Sequence, residues 1–293
     1  MAQVQPQTSI GRNQPAVPWR MRRVFSSKRV TLLIGAILVA IFVIAAIFAP
    51  LITPESPEHV DLYHMLAPPG GLHWFGTDEL GRDLYTRIVY GARTSLTVSS
   101  IAVAIGAIIG VSLGLLTGYV GGWVDEWIIM RLMDALQAFP FLIFALVIGA
   151  VLGGGIVNAE IAIGIGFIPG FVRIARAQVL IHKRAEYVES ARVVGAGPMR
   201  IMVLHILPNI MAPIIVQLSL ALAGGIVAEA GLSYLGLGVQ PPTPSWGAML
   251  KSAQGYLTIA PWLAIFPGVA LALAVLGFNY LGDGLSDLMN PKT

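Results

Sequence analysis

Cysteine is absent from this 293-residue chain, which excludes disulfide cross-links, a thiol nucleophile and any thiolate-ligated metal site. Charge is scarce too. Only 11% of the residues are Asp, Glu, Lys or Arg, against about a quarter in soluble proteins, so most of the surface faces something other than water. No G-x-x-x-x-G-K-S/T phosphate loop occurs, and Gly153-Gly154-Gly155 has neither the lysine nor the strand-to-helix setting of one; it reads as a loop between spans. No serine stands in a G-x-S-x-G elbow, and no carboxylate pair suits a catalytic cleft. His59 and His64, with Glu58 and Asp61 nearby, invite comparison with a metal site, but nothing fixes them on one helix face and they read as solvated loop residues. Catalytic residues and metal ligands are therefore expected to be absent.

What the chain does have is apolar sequence in long runs: 56% of residues are hydrophobic. A membrane helix needs roughly 20 mostly apolar residues. Candidate spans cover 30–51, 95–119, 127–152, 159–172, 210–230 and 259–280. The first follows Arg20, Arg22, Arg23, Lys28 and Arg29 in the manner of a signal peptide. It is longer than an ordinary signal core and meets Pro50 and Pro54 without a small-residue cleavage site, so a retained span is expected. The fourth is short and holds Pro169-Gly170, which predicts a kink or support from neighbours. Glu160, Glu229 and Asp283 lie near span ends and read as interfacial or capping acids. The stretch 1–18, rich in Gln and Pro, lacks periodicity and reads as disordered.

Basic residues predict the orientation, because Lys and Arg are retained on the cytoplasmic side. They crowd the N-terminal segment and recur at Arg173, Arg176, Lys183, Arg184, Arg192 and Arg200, whereas 231–258 holds only Lys251. About six spans then place both termini and the 173–208 loop in the cytoplasm. The expected organisation is a cytoplasmic tail 1–29, a first transmembrane helix 30–51, an external segment 52–94 and a core transmembrane domain 95–293 containing the 173–208 loop. The net charge of +3 is small and unevenly placed, and gives no reason to expect nucleic-acid binding.

Two local patterns stand out. Gly106, Gly110, Gly114 and Gly118 repeat every four residues, giving one helix face on which another backbone can approach closely, either within the chain or from a partner subunit. Within 186–198, Val188, Ala191 and Val194 recur every three residues while Glu189 and Arg192 lie on another face, so a short amphipathic helix is predicted that ends at Gly195–Pro198. Such a helix suits a partner's groove, and it also suits a solvated position along the bilayer.

Three motifs resemble a known family. Glu189-Ser190-Ala191, Gly195 and Ile206-Leu207-Pro208 are similar to the EAA loop of ABC-importer permeases (E-A-A, three residues, G, nine residues, I-x-L-P), with Ser190 in place of an alanine and His205 where isoleucine is usual. Gly76-Thr77-Asp78 with Gly81-Arg82-Asp83, continued by Arg87, Tyr90-Gly91-Ala92-Arg93 and Ser95-Leu96, resembles the G-T-D-x-x-G-R-D stretch of the dipeptide/oligopeptide/nickel permease family; Thr86 replaces its usual serine. Glu229–Gly238, Pro241-Pro242 and Ser245-Trp246-Gly247 are similar to the same family. The short first external segment resembles the C-type permease of that family's peptide importers.

The resemblance implies an all-α integral membrane protein of about six helices with a cytoplasmic coupling helix, forming half of a heterodimeric pore for dipeptides or oligopeptides. It implies a second permease subunit, two ATP-binding subunits holding ATP and Mg, an extracytoplasmic solute-binding protein, and no cofactor or ATPase site in this chain. Coupling would fall to Glu186, Tyr187, Glu189, Ala191, Arg192, Gly195, Ala196 and Gly197. Asp78, Arg82 and Asp83 would cap a helix or bind partners. A nickel-chelate or glutathione importer of the same family stays open, as does an ion-gradient transporter working alone.

Overall fold

The computed structural model describes residues 20–53 and 55–289; the stretch expected to be disordered, 1–18, lies outside them. The helices are α1 (Arg20–Ile47), α2 (Ala49–Ile52), α3 (Leu84–Val120), α4 (Met130–Gln137), α5 (Phe141–Leu152), α6 (Ile156–His182), α7 (Glu186–Val193), α8 (Pro198–Arg200), α9 (Leu207–Leu235), α10 (Trp246–Ala253) and α11 (Trp262–Met289). Among the described residues, five helices are long and apolar enough to cross a membrane; counting the bent pair Asp125–Gln137 and Phe141–Leu152 as one span gives six.

That pair corrects the expectation of one continuous span over 127–152. Its two halves meet at 95°. Proline has no N–H to continue a helical ladder, and Pro140 itself stands at the break with extended ψ of 130°. α5 then ends at Gly153 and α6 begins after Gly155, as the glycine run predicts.

α6 is longer than the predicted span. It passes Pro169 and continues to His182, so the loop expected from residue 173 starts ten residues later. The extra turns are held by ion pairs that reach outside the helix. Arg176 binds both oxygens of the buried Asp125 at 2.6–3.0 Å, and Arg173 lies 2.6 Å from Asp134 on α4.

α3 and α6 run side by side in the same direction, and the glycine strip is their contact. A Cβ added at Gly106, Gly110, Gly114 or Gly118 would stand 2.6–2.8 Å from Cβ of Phe167, Phe171, Ala175 or Val179 in turn. Real side chains do not approach so closely, so glycine lets the backbones meet. Gly114→Val is expected to cost about 1–3 kcal/mol, the usual penalty for overpacking. A lowered thermal midpoint of the detergent-solubilised chain, with Ala104→Val on the exposed side of α3 unchanged, would show it; equal midpoints would refute it.

α1 is bound mainly along α11, in the opposite direction, through Gly35 against Leu281, Gly277 against Leu38 and Gly284 against Leu32. Its other faces leave Ile37, Ile41 and Ile44 more than half exposed. The described start of α1 and the end of α11 therefore share one end of the bundle with α7. Residues 55–83 and α10 occupy the other end.

Candidate functional site

At the α7 end, the predicted short helix forms over Glu186–Val193. Val188 is its anchor, fully buried among Leu115, Val179, Ile201, Ile206 and Ile210. Arg192 lies over the Tyr119 ring, 5.7 Å from its centre, which ties α7 to the last turn of α3. The Tyr187 hydroxyl is 2.9 Å from His182 Nδ1. Gly195 then ends the helix. At φ +87° it takes the left-handed conformation, the Ala196 N–H donates to Ala191 O and the Gly195 N–H donates to Arg192 O, each at 2.9 Å. That pair of bonds is a Schellman cap, for which glycine carries no Cβ penalty.

One detail of the periodicity is corrected. The three-residue spacing groups Val194 with Val188 and Ala191, but α7 stops before it, and Val194, like Val193 on the outer face of the last turn, is 88% exposed. Glu186, Glu189, Arg192 and Gly197 are exposed around them, and Ala191 and Ala196 are half-buried. Tyr187, Ser190, Ala191, Gly195, Arg200 and His205 line an adjoining hollow of about 370 Å³. The residues expected to couple thus form one surface with two bare valines at its centre. The EAA-like signature does not mark those valines; their exposure follows only from where the helix ends.

The Gly76–Asp83 motif lies at the opposite end, and its polar side chains turn inward. Asp83 caps α3, its carboxylate accepting from the Thr86 N–H at 2.8 Å and lying 3.0 Å from His73 Nδ1. Asp78 accepts from the N–H groups of Leu80 and Arg82 and pairs with Arg82 Nε at 2.7 Å and Arg87 Nε at 3.3 Å. The Thr77 hydroxyl accepts from the Ala67 N–H and donates to His64 O. Gly81, at φ +74°, lies so close to Asp61 O that a side chain would overlap it. The space left among Asp78, Arg82 and Arg87 is about 10 Å³, no more than a single water centre needs. The motif is a packed clasp. Nearby, the exposed Asp61 carboxyl is held below the ordinary aspartate range, first by its hydrogen bond with His64 and next by the Tyr63 N–H.

α3 joins the two ends. At 1.5 Å per residue, its 37 residues span about 55 Å, from the Asp83 cap to Tyr119 beneath Arg192. The glycine strip lies along it, so the three residue groups picked from the sequence are separate in space yet share one helix.

Sequence reasoning missed two features. A cleft of about 550 Å³ between α6, α9 and α11 is lined by Arg173, Gln178, Gln217 and Ser286 among apolar neighbours. Isolated glutamines in apolar runs were the available signal. Glu229 and Glu160, expected at the interface, are both buried. Glu229 is fully enclosed, with one carboxyl oxygen accepting from the Ser233 hydroxyl at 2.7 Å. Asp283 alone of the three stays exposed.

Residues 110–293 match the model for the binding-protein-dependent transport system inner membrane component, and 18–69 match that for the N-terminal TM domain of oligopeptide transport permease C. The chain is 44% identical over 275 residues to the dipeptide transport system permease protein DppC of Alkalihalophilus pseudofirmus, covering 94% of this chain and 90% of that one. It is 46% identical over 282 residues to the glutathione transport system permease protein GsiD of Salmonella typhimurium, covering 96% and 92%. Inward-facing structures of the MetNI methionine ABC transporter share the fold, with a TM-score of 0.57 at 20% identity over 70% of this chain and 97% of that one. With five or six helical spans, a capped helix at one end and these matches along almost its whole length, the chain belongs to the family of binding-protein-dependent inner-membrane transport components and is an ABC-importer permease.

Proposed function

We propose that this permease forms half of the pathway of an ATP-driven importer of dipeptides or short peptides, paired with a second permease subunit. Two ATP-binding subunits, holding ATP and Mg, dock on α7. The chain itself carries no ATP site and performs no hydrolysis. The α7 end and both termini face the cytoplasm in the bacterial inner membrane, and the 55–83 end meets an extracytoplasmic solute-binding protein. The observation that carries this reading is the exposed pair Val193–Val194 beside the Gly195 cap, on a helix whose other face is locked by Val188. Bare apolar side chains on a firmly held, charged rim fit a partner's groove better than open water. The cleft lined by Gln178 and Gln217 is the polar track in an otherwise apolar bundle, and it suits a peptide backbone, which needs donors and acceptors.

Mechanistically, closure of the ATP-binding subunits would displace α7. Arg192 would press that motion onto Tyr119, and α3 with α6 would carry it as a packed pair toward the opposite end. The assembled complex is expected to hydrolyse ATP faster with a binding protein and a dipeptide present. Glutathione, named for one relative of equal similarity, is the alternative cargo and is to be run in parallel. Uptake by the purified chain alone under an ion gradient would overturn the coupled reading. Val193→Asp with Val194→Asp is expected to lower co-purification of the ATP-binding subunit by at least about tenfold, since burying one valine is worth about 1.5–3 kcal/mol. Retention equal to wild type would remove α7 from the interface.

A further inference from the structure

Arg93 stands apart from the other arginines of the α3 region. Arg82 and Arg87 are buried in the clasp against Asp78, whereas Arg93 is exposed and its guanidinium has no ion-pair or hydrogen-bond partner among the described residues. It opens onto a cleft of about 450 Å³ between α1 and α3. Val43, Ala46 and Ile47 of α1 form one wall and Leu96 and Ile101 of α3 the other; the exposed Thr97 and Ser100 follow Arg93 one and two turns along α3. The cleft is apolar below and cationic above.

Its level in the bundle is also defined. The apolar run of α1 ends just beyond Ile47, at Pro50, where a hydrocarbon layer gives way to head groups. Arg93 therefore sits at the boundary. Below it the outer face of α3 continues through Ala104 and the exposed Ile101 and Ile108, and α1 presents Ile37, Ile41 and Ile44. The cleft is thus continuous with the lipid-facing surface of α1. An arginine at an interface can also reach freely to water, but such a residue needs no cleft beneath it.

We infer that this cleft holds one phospholipid, its phosphate on Arg93 and an acyl chain between α1 and α3. The chemistry matches on both counts. The planar guanidinium offers paired N–H donors to phosphate oxygens, and the walls offer mainly carbon to the chain, the Thr97 hydroxyl being engaged with Arg93 O at 2.7 Å. α1 has few contacts of its own with the bundle beyond α11 and the start of α3, so a bound lipid would fill the seam it leaves.

The test uses the full-length chain in phosphatidylcholine vesicles doped with spin-labelled phosphatidylglycerol, read as the immobilised spectral fraction. Wild type is expected to hold an immobilised component, and Arg93→Gln to weaken its retention by about tenfold, the size of one charge-assisted contact. Arg93→Lys should restore part of it. Ser100→Phe, on the exposed rim and with Arg93 intact, should displace the lipid by filling the cleft. Displacement by millimolar inorganic phosphate would show an anion site without the acyl component and overturn the lipid assignment. Equal immobilisation in wild type and Arg93→Gln would overturn it too. So would an efficient cross-link from Thr97→Cys to the second permease in native membranes, which would give the cleft to a protein neighbour.

Discussion

Gly195→Asp is expected to abolish uptake while leaving the chain in the membrane at its ordinary level. Nothing lies within 4 Å of the position a Cβ would take, so the new side chain meets no atom of its own chain. The left-handed backbone costs an L-residue about 1–2 kcal/mol, and aspartate is among the residues that tolerate it best. The fold therefore survives. What changes is the surface proposed for docking: a carboxylate beside Val193 and Val194 would be stripped of water on association, a penalty of several kcal/mol. That predicts a loss of transport of at least about a hundredfold. Gly195→Asn, nearly the same shape without the charge, should keep much more activity. Uptake by Gly195→Asp at the wild-type rate would sink the coupling assignment, and equal losses in the two variants would locate the cause in the backbone.

The second large effect lies at the other end. Asp78→Ala removes the carboxylate that neutralises Arg82 and Arg87 and accepts two backbone N–H groups. Breaking one partner out of a buried pair costs about 3–5 kcal/mol, because the remaining charge stays buried without compensation. Here two guanidinium groups would be left side by side with only Glu79, 3.3 Å from Arg82, to offset them, which places the loss toward the lower end of that range. The variant is expected to show a sharply lowered thermal midpoint in detergent and early proteolysis within residues 55–83, the segment pinned by the clasp. Asp78→Asn, which keeps an acceptor but loses the charge, should fall between. An Asp78→Ala chain as stable as wild type would mean that the clasp contributes little and that the inward-turned polar groups serve some other end.

How much of this could be read from residues alone depended on the range of the interactions involved. Helix α7, its glycine stop and the Asp83 cap are local, and each was visible within a window of about ten residues. The glycine strip was visible as a face, though the sequence left open whether its partner was α6 or another subunit. The bend at Pro140 was written in the chain but overlooked within a long apolar run. Other features needed partners from distant segments. Arg173 and Arg176 counted as loop cations until Asp134 and Asp125 were seen beside them. Glu229 looked interfacial because its enclosure depends on Ser233, one helical turn ahead, together with packing from segments far away in sequence. The α1–α3 cleft has no sequence signature at all, since it exists only between two helices about 50 residues apart.

The packing of α1 on α11 bears on the order of synthesis. α1 has α11 as its chief partner, and Gly35 cannot meet Leu281 until all the residues between them have been made. At about 5–20 residues per second, Gly35 waits for Leu281 for roughly twelve to fifty seconds. During that time the glycine-bearing face of α1 is open to lipid and to any other helix nearby. A nascent chain interrupted before α11 would carry an orphaned α1, so α11 acts as the seal on the packing of α1.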